Sequence, residues 1–366
     1  MSYTLTTYLY KMEQFRNKGD KATRTGFGEG VVDIGELNPN VVVLGADITA
    51  SVGLDGFKRR FPERFFSFGI AEQNITAVAA GLALAGKLPV FSSYGVFAAL
   101  RAADQLRISI CYNNVKVIIG GAHAGISVGP DGATHQALED IAYLRALPNM
   151  TLISPCDANQ ARAATIAAMQ QVNGPVYIRF GREPVPNFTD EDQKLVVGKG
   201  QVLMNGDDVA IVATGHEVWE SIEAAHILAG QGVNAMVVNI HTIKPLDIPL
   251  LVDIAHHTGF VVTVEEHQVN GGLGGAVAEV LGKYCPTPME IVGMPDCFGE
   301  SGTPAELLQK YGLNSQSIAR KVLETLKKNK KGCVFFLVNM LLIFISSENT
   351  NKIAGKQIQR IKPNGL

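Results

Sequence analysis

The sequence predicts an α/β protein of two doubly wound domains. Short β-branched runs alternate with longer Ala- and Leu-rich segments from residue 40 onward. The alternation stops at a proline- and acid-rich stretch, Glu183 to Gly200, and then restarts. Continuous apolar strands spaced by helices indicate parallel sheets covered on both faces. At 366 residues the chain can hold two cores.

The first domain, over residues 23–183, follows an N-terminal extension of residues 1–22. Val41 to Ala46 is a buried-strand run closed by Asp47, and Glu72 to Gly86 reads as a helix. Leu88 to Ser93 follows as strand, Val96 to Cys111 as helix and Val115 to Gly120 as strand. Leu138 to Leu147, Thr151 to Ser154, Asn159 to Gln171 and Val176 to Phe180 repeat the alternation. Residues 184–200 read as a linker. The second domain, over residues 201–326, carries Val209 to Thr214, Val218 to Ala229, Ala235 to Ile240, Val261 to Val264, Gly275 to Lys283 and Ile291 to Met294. The tail, residues 327–366, opens on KKNKK before a 13-residue apolar run, Cys333 to Ile345. A bilayer span needs about 20 apolar residues, so this run is too short, and the tail is expected to be poorly ordered.

Composition narrows the function classes. A net charge of -2 gives no reason to expect nucleic acid or an anionic membrane surface. The five cysteines are scattered without CxxC spacing, which supports neither a disulfide framework nor a zinc site. The amino terminus lacks a signal peptide's apolar core, so a reducing cytoplasm is expected.

Open α/β sheets place functional groups at the carboxyl ends of their strands, which makes Asp47, His123 and Asp157 candidates. Glu72 opens a helix, where a carboxylate is often only a partner for the helix dipole. Its neighbours Phe68, Gly69, Ile70 and Ala71 form an apolar, tightly turned setting, in which a buried carboxyl could exchange a proton near neutrality. Phe91, Tyr94 and Phe97 read first as core and second as a stacking pocket for a flat heteroaromatic ring. His123, Asp131 and His135 share one glycine-rich segment, GGAHAGISVGPDGATHQ, suited to hydroxyl recognition and proton shuttling. Arg179 and Arg182, on VYIRFGR, are either solvated or phosphate ligands.

In order along the chain, ATRTGFGEG, GADITAS, FGIAEQN, FSSYGVFAALRAADQLR, GPDGATHQALED, LPNMTLISPCDANQ, HTIKPLD, EEHQVNGGLGG and FGESGTPAELLQKYGL resemble the C-terminal part of transketolase. The resemblance covers roughly residues 22–326 and is to the separate C-terminal subunit of enzymes split into two polypeptides. It implies a pyrimidine-binding domain of the thiamine-diphosphate type followed by a smaller transketolase C-terminal domain. It also implies transfer of a two-carbon ketol unit from a ketose phosphate to an aldose phosphate, in the pentose phosphate pathway. Glu72 matches the glutamate that protonates the cofactor's aminopyrimidine, Phe97 the aromatic that stacks on it, with Tyr94 beside it. His123, Asp131 and His135 match residues at the sugar hydroxyls, with His135 also catalytic, and Asp47 an acidic residue near the cofactor. Arg182, or else Arg179, is expected to take a phosphate.

The Gly-Asp-Gly…Asn-Asn signature that binds Mg2+ and the diphosphate in this superfamily is absent from the sequence. Its ligands are therefore expected on an N-terminal partner subunit, in a heterotetramer. Three other readings compete. The β subunit of a 2-oxo acid dehydrogenase first component shares the fold and the glutamate, but GPDGATHQ and His123 favour sugar handling. A deoxyxylulose-phosphate synthase normally has both halves fused. A non-catalytic paralogue would be expected to have lost some of these residues.

Overall fold

The computed structural model describes residues 15–327; the expected poorly ordered run Cys333 to Ile345 lies outside them. In chain order the strands are β1 (Asp20–Ala22), β2 (Val41–Gly45), β3 (Phe65–Ser67), β4 (Leu88–Tyr94), β5 (Ile118–Ala122), β6 (Thr151–Ile153) and β7 (Val176–Arg179). They continue with β8 (Pro184–Pro186), β9 (Gln201–Met204), β10 (Val209–Ala213), β11 (Ala235–Asn239), β12 (Thr242–Lys244), β13 (Val261–Gln268) and β14 (Met289–Met294).

The first domain is built on a sheet of order β12-β6-β7-β5-β4-β2-β3, parallel except for β12 at one edge. β2, β5 and β7 are buried along their whole length. That is why they read as unbroken apolar runs. The second sheet has order β14-β13-β10-β11-β9, with only β9 antiparallel. The two doubly wound layers match the expected fold class. β12, however, comes from the second domain's stretch of sequence and pairs with β6, so the later segment completes the earlier sheet.

Two segments differ from the reading of the sequence. The sequence pattern marks no element over residues 23–37, yet Thr23–Leu37 is a helix despite four glycines. Close packing explains them. A Cβ on Gly26 would stand 1.9 Å from the Ala158 carbonyl oxygen, and one on Gly28 would stand 2.0 Å from that of Gly53. Each glycine costs the helix roughly 0.5–1 kcal/mol, offset by close contacts: Gly26 and Gly30 against helix Ala158–Gln171, Gly28 against Gly53, and Gly35 against Phe57. The strand expected over Val115 to Gly120 instead runs from Ile118 to Ala122. The shift brings His123 directly to its carboxyl end.

Asp157 proves structural rather than functional. Fully buried, it caps helix Ala158–Gln171 through Gln160 N and accepts from Phe188 N, Thr189 N and Thr189 Oγ1. It thereby fixes the chain just past β8, which itself pairs with β1. An uncompensated carboxylate there would be costly, and these four donors satisfy it.

Candidate functional site

Neighbouring parallel strands deliver the expected groups to one end of the first sheet. Asp47 follows β2, Glu72 lies just after β3, Tyr94 ends β4 and His123 follows β5. The order β5-β4-β2-β3 makes these strand ends adjacent.

Glu72 is 1% exposed and opens helix Glu72–Leu84, whose N-terminal dipole favours its charge. Its surroundings are less apolar than the sequence suggests. Ser93 Oγ donates to Oε1 at 2.9 Å, and Arg101 Nη1 donates to Oε2 at 2.9 Å. Arg101 also lies over Phe97, its Cζ 3.9 Å from the ring centroid. Both residues sit on Val96–Arg101, a wide-turned π-helical stretch where a plain helix was expected. Such stretches are frequent at functional sites.

The aromatic and imidazole rings form one cluster. Tyr94 lies 4.2 Å from His123 and 5.5 Å from His135, and Phe97 lies 5.4 Å from His135 edge-on. Tyr94 and Phe97 are half-buried, not sealed in the core, whereas Phe91 is core. His123 is buried with a left-handed backbone, φ 56°, and its Nδ1 has no hydrogen-bond partner. Burial, and then the charges of Arg24 and Arg182, hold the imidazole down at about 3, outweighing Asp131. It is neutral at working pH. His135 is half-exposed and pairs with Thr134 Oγ1 at 2.9 Å.

Asp131 and Arg182 face each other at the rim: Arg182 Nη1 lies 3.2 Å from Asp131 Oδ1 but is not aligned for a hydrogen bond. Arg179 does not join them. It is 5% exposed, binds Asp140 through Nε and donates through Nη2 to the carbonyls of Ala137 and Glu266. Those contacts spend its donors on the interior. Asp47 is exposed at φ 61° and accepts from Ser67 Oγ at 3.0 Å; it follows β2, which β4 separates from β5.

Sequence reasoning missed four groups. Arg24, on ATRTGFGEG, is half-buried, donates to the Ser51 carbonyl and acts on His123. Ser93 and Arg101 stand on the quoted aromatic motif but were not singled out. Glu266, from the second domain, accepts from Ser127 N and Oγ at 3.0 Å, inside the loop that joins His123 to Asp131. Burial alone would raise that carboxyl, but His216 and the two Ser127 donors pull it below the usual range. A signal existed for Arg24 and Arg101, since each interrupts a motif of small or apolar residues with a charge. Glu266 stands in the motif EEHQVNGGLGG, where nothing local points to Ser127, 139 positions away.

A groove of about 640 Å³ lies elsewhere, lined by helix Ala158–Gln171 and residues 191–195. None of the clustered rings line it. Among the described residues no group of three or more His, Cys, Asp or Glu could hold a metal ion, and no helix is long and apolar enough to cross a membrane.

The chain as a whole is similar to known proteins. Residues 20–187 match the transketolase pyrimidine-binding domain and residues 198–318 the transketolase C-terminal domain. A solved structure described as a split-gene transketolase, an inactive β4 tetramer, is 48% identical with a TM-score of 0.78. The match covers 84% of this chain and 98% of that one. A provisionally assigned transketolase C-terminal section of Methanocaldococcus jannaschii is 43% identical over 84% of this chain and 97% of its own length. A 6-deoxy-6-sulfo-D-fructose transketolase subunit of Clostridium sp. (strain MSTE9) is 41% identical over 82% and 93%. With both domains matched in order and relatives this similar along nearly their whole length, the chain belongs to the transketolase family, whose enzymes depend on thiamine diphosphate.

Proposed function

We propose that this chain is the cytoplasmic C-terminal subunit of a two-polypeptide transketolase. It moves a two-carbon ketol unit from a ketose phosphate to an aldose phosphate, together with an N-terminal subunit. The observation that carries the reading is Glu72: a carboxylate 1% exposed, at a helix N-terminus, joined through Arg101 to a shelf of aromatic and imidazole rings.

The donor set suits an aminopyrimidine. A buried carboxylate can hold a proton at a ring nitrogen, and the ring faces of Phe97 and Tyr94 can stack on a flat heterocycle. Thiamine diphosphate, when bound, supplies the carbanion chemistry that no side chain can. Glu72 would hold the proton at the pyrimidine nitrogen, and Phe97 and Tyr94 would orient the ring, with Asp47 nearby. His123, neutral and with Nδ1 unpartnered, is poised to bond a sugar hydroxyl. His135 can accept or return a proton at the reacting carbon's oxygen, and Asp131 can accept from a hydroxyl farther along. Arg182 is the phosphate ligand, with Arg24 a second cation nearby, because Arg179 is spent on Asp140. Mg2+ and the diphosphate fall to the N-terminal subunit.

The test is the chain reconstituted with that subunit and assayed with xylulose 5-phosphate and ribose 5-phosphate, alongside a sulfo-sugar donor and pyruvate. Ketol transfer between phosphorylated sugars is expected, and activity on pyruvate alone would refute the proposal. Glu72→Gln should lose more than the roughly 10²–10⁴ typical of a general acid–base group, because proton holding at the pyrimidine fails altogether. Full activity in that variant would refute the role assigned to Glu72.

A further inference from the structure

One guanidinium occupies both of the groups that the proposed function assigns to the aminopyrimidine. Arg101 donates from Nη1 to Glu72 Oε2 at 2.9 Å, and its Cζ lies 3.9 Å from the centroid of Phe97. The chemistry of the two occupants is alike. A guanidinium and a protonated aminopyrimidine both present an in-plane N–H that donates to a carboxylate and a flat cationic face that stacks on an aromatic ring.

The two ends of this pair are unequal. Glu72 is 1% exposed and cannot be left buried without a cation or donors. Arg101 is 44% exposed, so it regains water on leaving at little cost. It also ends the wide-turned stretch Val96–Arg101, just before Ala102 departs from helical geometry at φ -96° and ψ 17°. Of the two, the arginine is the one water can readily take up.

We propose that Arg101 is a placeholder for the cofactor's aminopyrimidine: it neutralises Glu72 and covers Phe97 in the cofactor-free subunit, and it swings toward solvent when the ring enters. This rests on the reading of Glu72 and Phe97 as the pyrimidine contacts. Arg101 protects a buried charge before assembly and opposes cofactor binding by the strength of one partly exposed ion pair.

The experiment uses the full chain reconstituted with its N-terminal subunit, freed of cofactor. Thiamine diphosphate with Mg2+ is titrated calorimetrically into wild type, Arg101→Ala and Arg101→Met, the last keeping the packing over Phe97. Both variants are expected to bind about three- to tenfold more tightly. Unchanged or weaker binding in Arg101→Met overturns the proposal. Thermal unfolding reads it independently of activity. The cofactor-free variants should melt lower than wild type, and added cofactor should raise their Tm by more; an equal or smaller rise counts against the placeholder. Glu72→Gln separates the two readings. If it binds thiamine diphosphate as wild type does, the pyrimidine assignment fails. If it binds more weakly while Arg101→Met does not tighten, only the placeholder fails.

Discussion

At the residue scale, His123 shows how burial chooses a protonation state. Burial, and then the charges of Arg24 and Arg182, lower its imidazole from an ordinary value near 6.5 to about 3 in the folded state. The folded state therefore binds fewer protons than the unfolded chain between those values. Stability is complete above the unfolded pKa and is lost as pH falls from about 6.5 toward 3. His241, pushed by burial to about 4, acts in the same direction. Each imidazole can remove up to about 1.4 kcal/mol of stability per pH unit. Thermal melts from pH 7 to 4 should fall less steeply in His123→Asn than in wild type; parallel curves would place the acid sensitivity elsewhere. Residue types were the legible part of this site. Glu72, His123, Asp131 and His135 announce themselves by standing among glycines and small apolar residues. That Arg101 satisfies Glu72 was not legible, because the two lie 29 positions apart.

At the element scale, the loop from His123 to His135 carries three of the candidate substrate contacts, and the second domain holds it in place. Glu266, at the end of β13, binds Ser127 twice, while Gln136 Nε2 donates to the Glu300 carbonyl. A Cβ on Gly125 would stand 2.0 Å from Glu266 Oε2, and that glycine's φ is +86°. Gly125→Ala should therefore cost about 1–3 kcal/mol in urea unfolding and raise the KM for sugar phosphates, since the loop must move away from Glu266. A variant with native stability and KM would show that the loop tolerates displacement. The loop's existence was readable from its glycines. Its anchor was not, since Glu266 acts from 139 positions away and across a domain boundary.

At the scale of the whole molecule, the candidate groups sit at the carboxyl ends of the first sheet, and the sequence offers no diphosphate signature of its own. On the proposed reading, a cofactor held at its pyrimidine end here has its other end held by the N-terminal subunit. Light scattering of the co-purified subunits should give a heterotetramer of two N-terminal and two C-terminal chains. A monomer of this chain with full activity alone would contradict the proposal. The relative solved as a β4 tetramer is described as inactive, and it motivates testing this chain's self-association in the absence of the partner.

The alternation of apolar runs and helical segments determined the α/β class and the two sheets, because strand and helix periodicity is a local property of the chain. Ordered motifs likewise determined the family and most of the candidate residues. Only the tertiary structure decided which charges meet. It sealed Arg179 against Asp140 and left Arg182 at the rim, turned Asp157 into a helix cap, and set Arg101 on Glu72. It also let Thr23–Leu37 form a helix through its glycines. Burial and ion pairing depend on groups far apart in sequence, and no local pattern encodes them.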